Sequence, residues 1–256
     1  MPNSKSNKPA VTKKVAPKKV APKKTVVKKT IAKKAPVKKT VGTGWINQTK
    51  KELFRDNEAF CVLPWIHLHT TPTGQAAPCC ISNSCADNIG VGNSNTDSLE
   101  EIVNSPKMKR LRIDMLKGIK NEECTNCHRH DEKGVPSARQ DFNKTWAALP
   151  DIMDIINNTE KDGEVKEFKM KYFDIRFSNI CNFKCRTCGS AFSSLWEAED
   201  IKSKEKTGLP FWAQIVPKGN REEFLDEILE QVPNFEVAYF AGGEPLITEE
   251  HYLLLE

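Results

Sequence analysis

Residues 178–189 read Ser-Asn-Ile-Cys-Asn-Phe-Lys-Cys-Arg-Thr-Cys-Gly, and they place Cys181, Cys185 and Cys188 in the spacing C-x3-C-x2-C. Three thiolates at this spacing can hold three corners of a four-iron, four-sulfur cube, whereas most electron-transfer clusters have four cysteine ligands. An iron that lacks a protein ligand can bind a small molecule and pass an electron to it. The spacing therefore indicates a reactive cluster, and a zinc knuckle is the alternative because CxxC pairs also bind zinc.

Two strand-like segments frame this motif. The alternating apolar residues 172–177 run directly into the cysteines, which predicts a strand followed by a ligand-bearing loop. A second such segment, residues 235–240, leads into Gly-Gly-Glu-Pro at residues 242–245. Two glycines at a strand end allow a ligand to approach the backbone closely. This context favours the cluster over zinc.

In this order the two motifs resemble those of the radical S-adenosylmethionine (SAM) superfamily, where C-x3-C-x2-C follows the first barrel strand and a GGEP-like motif follows the second. The resemblance implies that Cys181, Cys185 and Cys188 hold a [4Fe-4S] cluster whose open iron binds SAM. It implies reductive cleavage of SAM to methionine and a 5′-deoxyadenosyl radical, which abstracts a substrate hydrogen. An electron donor of the flavodoxin or ferredoxin type is implied as a partner. The cofactor carries this chemistry and the protein positions it.

The resemblance also assigns the glycine motif to SAM. Gly242 and Gly243 would offer backbone groups to the methionyl amine, and Glu244 would lie close by as a carboxylate. The family usually has an aromatic residue just before the last cysteine, near the adenine, whereas this chain has Thr187 there. The group that packs against the adenine is therefore unassigned, and no catalytic residue is assigned either.

A second set of cysteines precedes the first. Cys61 and Cys79 flank Gly74 in the pattern C-x12-G-x4-C, and the pair Cys124 and Cys127 follows a predicted helix that starts at residue 97 or 98 and stops near residue 118. The pattern resembles the opening of SPASM and twitch domains, which carry auxiliary iron–sulfur clusters in many radical SAM enzymes. The resemblance implies one closed cluster on these four cysteines, suited to electron relay or structure. Such domains usually follow the barrel, whereas this one precedes it.

Alternatives to this ligand set remain open at the level of sequence. The four cysteines also suit structural zinc. A third alternative is that they are free thiols that bind no metal. Cys80 competes with Cys79 as a ligand, since adjacent residues of a strand face opposite sides. Cys85 is spare. His128 and His130 are predicted to be surface residues at a helix start rather than zinc ligands.

Residues 1–42 differ from everything that follows. They contain 14 lysines and no acidic residue or arginine, and the lysines recur as pairs every five residues from 13/14 to 38/39. Because the whole chain carries +5, the remaining residues carry −9. Like-charge repulsion and proline exclude a packed core, so residues 1–44 are predicted to be a disordered tail that attracts nucleic acid or another polyanion, or serves only as a solubilising arm.

Cysteine content and hydropathy together indicate the cellular compartment of the protein. The chain has nine cysteines in CxxC-type sets, which fits metal binding in a reducing compartment better than a disulfide framework. No apolar run approaches the roughly 18–20 residues that span a bilayer. We therefore expect a cytoplasmic protein without membrane contact.

The predicted fold class is α/β, in three parts. The basic tail (1–44) precedes a small α+β, cysteine-rich, twitch-like domain (45–168) and a partial radical SAM (β/α)6-type barrel (169–256) that holds only the first two strand–helix units. A full barrel needs about six units of roughly 30 residues each, so we expect this chain to be the N-terminal part of a longer enzyme, to need a missing C-terminal half, and to be inactive alone. The alternative function is a non-catalytic zinc or iron–sulfur module tethered to nucleic acid by the tail.

Overall fold

A mixed sheet of five strands organises the fold in the computed structural model, which describes residues 44–86, 90–207 and 221–256. The predictions for the basic tail lie outside the described residues, apart from Gly44. The strands are β1 (His67–Thr70), β2 (Gln75–Ala77), β3 (Gly92–Asn93), β4 (Tyr172–Asp174) and β5 (Val237–Ala238). Their order across the sheet is β3-β2-β1-β4-β5.

The sheet joins the two cysteine-bearing regions. β1 and β2 form an antiparallel hairpin with β3 beside it, whereas β4 runs parallel to both β1 and β5. The β1–β4 register pairs His67 with Tyr172 and His69 with Asp174. The segments predicted as two domains, 45–168 and 169–256, therefore share one sheet, and both belong to one compact unit.

Short helices surround the sheet. The α-helices are α1 (Leu63–Ile66), α2 (Asn83–Ala86), α3 (Leu99–Val103), α4 (Pro106–Leu116), α5 (Thr125–Glu132), α6 (Ala138–Trp146), α7 (Ile152–Asn157), α8 (Glu197–Thr207), α9 (Arg221–Gln231) and α10 (Glu249–Leu253). A π-helical turn spans Glu52–Asp56, and 3-10 turns span Glu122–Cys124, Ser194–Trp196, Val232–Asn234 and Pro245–Ile247.

Two elements differ from the sequence predictions. The single helix expected between residues 97 and 118 is two helices, because Pro106 has no backbone N–H and restricts the residue before it. Ser98 caps the first of them through a capping box with Glu101. The alternating residues after Pro64 predict a strand from there to His69. The strand begins only at His67, because residues 63–66 form a helical turn with the proline near its start.

The two faces of the sheet have different chemistry. Leu68 and Phe173 lie on one face and are fully buried, with the Phe173 ring centroid 5.3 Å from that of Phe235. The opposite face, which we call the polar face, carries His67, His69, Tyr172 and Asp174. Alternation along parallel strands places these four side chains together, and burial makes their hydrogen bonds obligatory.

From the sequence we expect a partly buried strand histidine at His67, whereas the side chain is fully buried. Its Nδ1–H donates to the Tyr172 carbonyl oxygen at 3.0 Å, and its ring stacks on the Tyr172 ring with centroids 4.5 Å apart. Burial lowers the pKa of His67 from 6.5 to about 4, against the opposing attraction of Asp174. The imidazole is therefore neutral in the folded protein at pH 7.

The free energy of unfolding should fall with acidification because the unfolded chain takes up the His67 proton first. The contribution is complete above pH 6.5 and is lost as the pH falls from 6.5 towards 4, by about 2 kcal/mol between pH 7 and pH 5. Urea unfolding of the wild type and of His67→Asn, with equal iron loading, measures it. The Asn variant should show a shallower dependence on pH. Equal slopes would contradict this assignment.

The strand β5 is the edge of the sheet among the described residues. The side chains of Val237 and Tyr239 beside this edge are 47% and 51% exposed. An unpaired strand edge with apolar neighbours favours the addition of a further strand. Within the same described residues, no helix is both long enough and apolar enough to cross a membrane.

Candidate metal centres

Four cysteines lie at the ends of short elements between residues 61 and 127. Cys61 lies two residues before α1, Cys79 lies two residues after β2, and Cys124 directly precedes α5, whose first turn contains Cys127. Burial raises the pKa of Cys61 to about 12, and repulsion from Cys127 adds to this effect. Burial also raises the pKa of Cys79 and of Cys124, and both feel repulsion from Cys61. The four thiols therefore lie within electrostatic reach of one another.

Backbone hydrogen bonds favour the thiolate form of three of these cysteines. Cys61 accepts the N–H of Leu63, and Cys79 accepts the N–H of Ile81, each two residues further along the chain. Cys127 accepts the N–H of Arg139, from the first turn of α6. These bonds do not offset burial, so the thiolates need a cation to balance them. Binding of iron or zinc would deprotonate the thiols and supply that positive charge.

Cys80 and Cys85 occupy a different position from the four. Cys80 is exposed and Cys85 is half-buried. After burial, the largest influence on the pKa of Cys80 is Asp174, and that on the pKa of Cys85 is Cys80. After burial, Cys61, Cys124 and Cys80 raise the pKa of Cys79. Cys127 also raises the pKa of Cys80, and the choice of Cys79 over Cys80 as a ligand remains a prediction.

His128 is the residue of this region that sequence reasoning misplaced. It was predicted to lie at the surface, but it is 6% exposed, and neither ring nitrogen has a hydrogen-bond partner. His130, two residues on, is exposed as predicted. The physical reason is helix phase: His128 lies one turn after the partly buried Cys124, on the inward side of α5.

The second group of cysteines lies on the loop after β4. Cys181 is half-buried, whereas Cys185 and Cys188 are exposed. The N–H of Phe183 donates to Cys181 Sγ at 3.3 Å, repeating the two-residue pattern of Cys61 and Cys79. After burial, the next influences on the pKa of Cys188 are its repulsions from Cys185 and Cys181, so the trio is grouped. The two exposed thiols leave room for a ligand from solution.

Residues beyond the motif hold this loop in shape. Ser193 Oγ donates to the Phe183 carbonyl at 2.7 Å, and Trp196 Nε1 donates to the Cys185 carbonyl at 3.0 Å. The amide of Asn179 donates to the Ser190 carbonyl at 2.7 Å. Sequence analysis did not single out these residues. Their only sequence signal is a cluster of serine and aromatic residues directly after the last cysteine.

The loop after β5 docks on the cysteine loop. Gly242 and Gly243 have positive φ, of 82° and 60°, which favours glycine. The N–H of Glu244 donates to the Ile180 carbonyl at 2.8 Å, and that of Gly243 donates to the Phe192 carbonyl at 3.1 Å. A Cβ on Gly243 would overlap the Ile180 carbonyl oxygen. These glycines therefore permit a backbone contact that seats one motif against the other.

The Glu244 side chain already has a local role in this loop. Its carboxylate accepts the N–H of Leu246 at 3.1 Å and caps the turn Pro245–Ile247. That bond fixes the orientation of the carboxylate at the strand end. The prediction that Glu244 lies near the methionyl group remains a prediction.

A buried polar network connects the two regions across the sheet. His69 Nδ1–H donates to Asp174 Oδ2 at 2.8 Å, and Arg176 Nη1 donates to His69 Nε2 at 2.8 Å. Arg176 Nη2 lies 3.3 Å from Asp174 Oδ1. A Cβ on Gly242 would lie within 2.7–2.8 Å of three carbons of the Arg176 side chain. The network thus runs from the vicinity of Cys80 to the glycine motif.

Comparison with known proteins concerns the first of these regions. Residues 61–128 match the family model of SPASM, an iron–sulfur cluster-binding domain. This region is of the SPASM/twitch type that is associated with radical SAM enzymes. The match begins at Cys61, contains Cys79, Cys124 and Cys127, and ends at His128. No curated protein and no solved structure matched the chain.

Within the described residues, no three His, Cys, Asp or Glu side chains are arranged to hold a single metal ion. Four cysteine thiolates are nevertheless the donor set of a closed iron–sulfur cluster, so the residue types fit such a group. Structural zinc uses the same donor set.

Proposed function

We propose that this chain belongs to a radical SAM enzyme. Cys181, Cys185 and Cys188 would hold a [4Fe-4S] cluster that binds SAM, and Cys61, Cys79, Cys124 and Cys127 would hold an auxiliary cluster. When bound, the first cluster and SAM supply a 5′-deoxyadenosyl radical for hydrogen abstraction. An electron donor of the flavodoxin or ferredoxin type would reduce the protein.

One observation carries the proposal. The loop that carries the cysteine trio, of which Cys185 and Cys188 are exposed, lies at the carboxyl end of β4. The loop after the adjacent parallel strand β5 is hydrogen-bonded to it through Gly243 and Glu244. The crevice at the carboxyl ends of parallel strands is where α/β proteins bind small ligands. Three grouped thiols there, next to backbone held by glycine, support a cluster with one position open to an outside ligand.

The chain's own residues would position the cluster and exclude water from it. Ser193 and Trp196 hold the carbonyls of Phe183 and Cys185, and they would keep the cysteine loop in position around a cluster. Arg176 is bonded to Asp174 and His69 and packs against Gly242, and it would support the glycine loop beside the cluster. No residue is assigned to substrate binding, and no substrate class is proposed.

Anaerobic reconstitution followed by iron and sulfide analysis tests the proposal. Two four-iron clusters require about eight irons per chain. Addition of SAM to the reduced protein should then change its electron paramagnetic resonance (EPR) spectrum, because SAM would occupy the open iron. Zinc without iron would support the non-catalytic metal-binding module instead. A spectrum that SAM leaves unchanged would refute the SAM site.

A further inference from the structure

Arg139 is a buried cation on the SPASM-like side of the molecule. It is the second residue of α6, and it is 6% exposed. Its Nε and Nη2 donate to Asp131 Oδ2 at 2.9 and 2.7 Å. A buried guanidinium retains its charge and needs several acceptors, so its surroundings are specific to an arginine.

The same helix holds the peptide that carries Cys61. Arg139 Nη1 and Asn143 Nδ2 both donate to the Phe60 carbonyl, at 3.1 and 2.8 Å. Asn143 Oδ1 accepts the N–H of Val62 at 3.0 Å. Arg139 and Asn143 are four residues apart and therefore share a face of α6. The two residues on either side of Cys61 are thus fixed by side chains of one helix.

Arg139 also reaches the other end of the cysteine set. Its backbone N–H donates to the Cys127 thiol. Its guanidinium is bonded to Asp131, which lies one turn after Cys127 on α5, and to the Phe60 carbonyl beside Cys61. One buried cation therefore connects the backbone next to Cys61 with the helix that carries Cys127.

We propose that Arg139 is a positioning residue that sets the reduction potential of the auxiliary cluster; this rests on the proposed function. A cluster ligated by four thiolates is anionic, and one-electron reduction adds a further negative charge. A fixed cation and N–H···S hydrogen bonds stabilise the reduced form. Loss of the cation should therefore make reduction less favourable and shift the midpoint potential to a more negative value.

The test is an EPR-monitored redox titration of reconstituted protein. Arg139→Gln keeps the backbone N–H and a polar side chain but removes the charge, whereas Arg139→Lys keeps the charge. We expect Arg139→Gln to lower the equilibrium constant for reduction of the auxiliary cluster at least tenfold, which is 59 mV for a one-electron couple. Arg139→Lys should recover most of this shift. The potential of the cluster on the Cys181 loop should be unchanged.

Arg129→Gln is the matched control, because Arg129 is exposed on α5 only two residues after Cys127. It removes the same charge without a buried contact and should leave the potential unchanged. An Arg139→Gln protein with the wild-type potential, or an equal shift in Arg129→Gln, would overturn the proposal.

Two further outcomes separate this proposal from the one on which it rests. If Arg139→Gln fails to retain the auxiliary iron, Arg139→Lys must retain it at a near wild-type potential. Loss of this iron in both variants would show that Arg139 serves packing only and would overturn the inference. Wild-type protein without auxiliary iron would instead refute the auxiliary cluster itself.

Discussion

Replacing Cys181, Cys185 and Cys188 together by alanine should lower the iron content after anaerobic reconstitution from about eight to about four per chain. The response of the EPR spectrum to SAM should be lost completely. The reason is that the three thiols share the loop after β4, whereas the four SPASM-like cysteines lie beside α1, β2 and α5. Iron and sulfide assays and EPR spectra with and without SAM measure both effects.

The double variant Cys80→Ala, Cys85→Ala is the control for cysteine loss as such. Both residues lie outside the two proposed ligand sets, so iron content should remain about eight per chain. If the triple variant loses all of its iron, the partition of the cysteines into two independent sites is wrong. If the double variant loses iron, Cys80 or Cys85 is a ligand.

Replacing Gly243 by alanine should destabilise the docking of the two motif loops and remove the response to SAM. The residue has φ +60°, where a side chain costs about 1–2 kcal/mol. The new Cβ would also overlap the Ile180 carbonyl oxygen, and overpacking of this kind costs about 1–3 kcal/mol. We expect a loss of about 2–5 kcal/mol in unfolding free energy, measured by denaturant titration.

Gly189→Ala is the matched control for this substitution. Gly189 directly follows Cys188, and a Cβ built on it has no atom within 4 Å. Its replacement should therefore change the unfolding free energy by no more than about 0.5 kcal/mol. Equal stability losses in the two variants would show that the contact between Gly243 and the cysteine loop is not the cause of the lost unfolding free energy.

Local sequence patterns predicted several elements well. The sequence predicts helices near residues 190–204 and 221–231 and a helix that starts after Thr248. Helices α9 and α10 match these predictions, whereas α8 begins only at Glu197. The strands β4 and β5 lie within the predicted segments 172–177 and 235–240, although both are shorter. These features depend on hydrophobic periodicity and capping, which act over a few residues.

Burial was harder to predict than secondary structure. His128 was expected at the surface because it sits in a polar stretch at a helix start, yet the phase of α5 turns it inward. Arg139 lies in a segment without a recognisable motif, and its contacts with Phe60 and Asp131 depend on how α5 and α6 pack. Charge and polarity alone do not indicate which charged residues are buried, because a partner far along the chain can offset the cost of burying a charge.

The sequence by itself determined the two cysteine patterns, the glycine motif and the basic tail, because spacing and composition are properties of the chain before it folds. Only the tertiary structure decided that β1 and β4 are parallel neighbours in one sheet, bringing His69 to Asp174 and Arg176. Contacts between residues that are about a hundred positions apart leave no pattern in the local sequence. Their contacts come from strand pairing and burial, which act only when the whole sheet assembles.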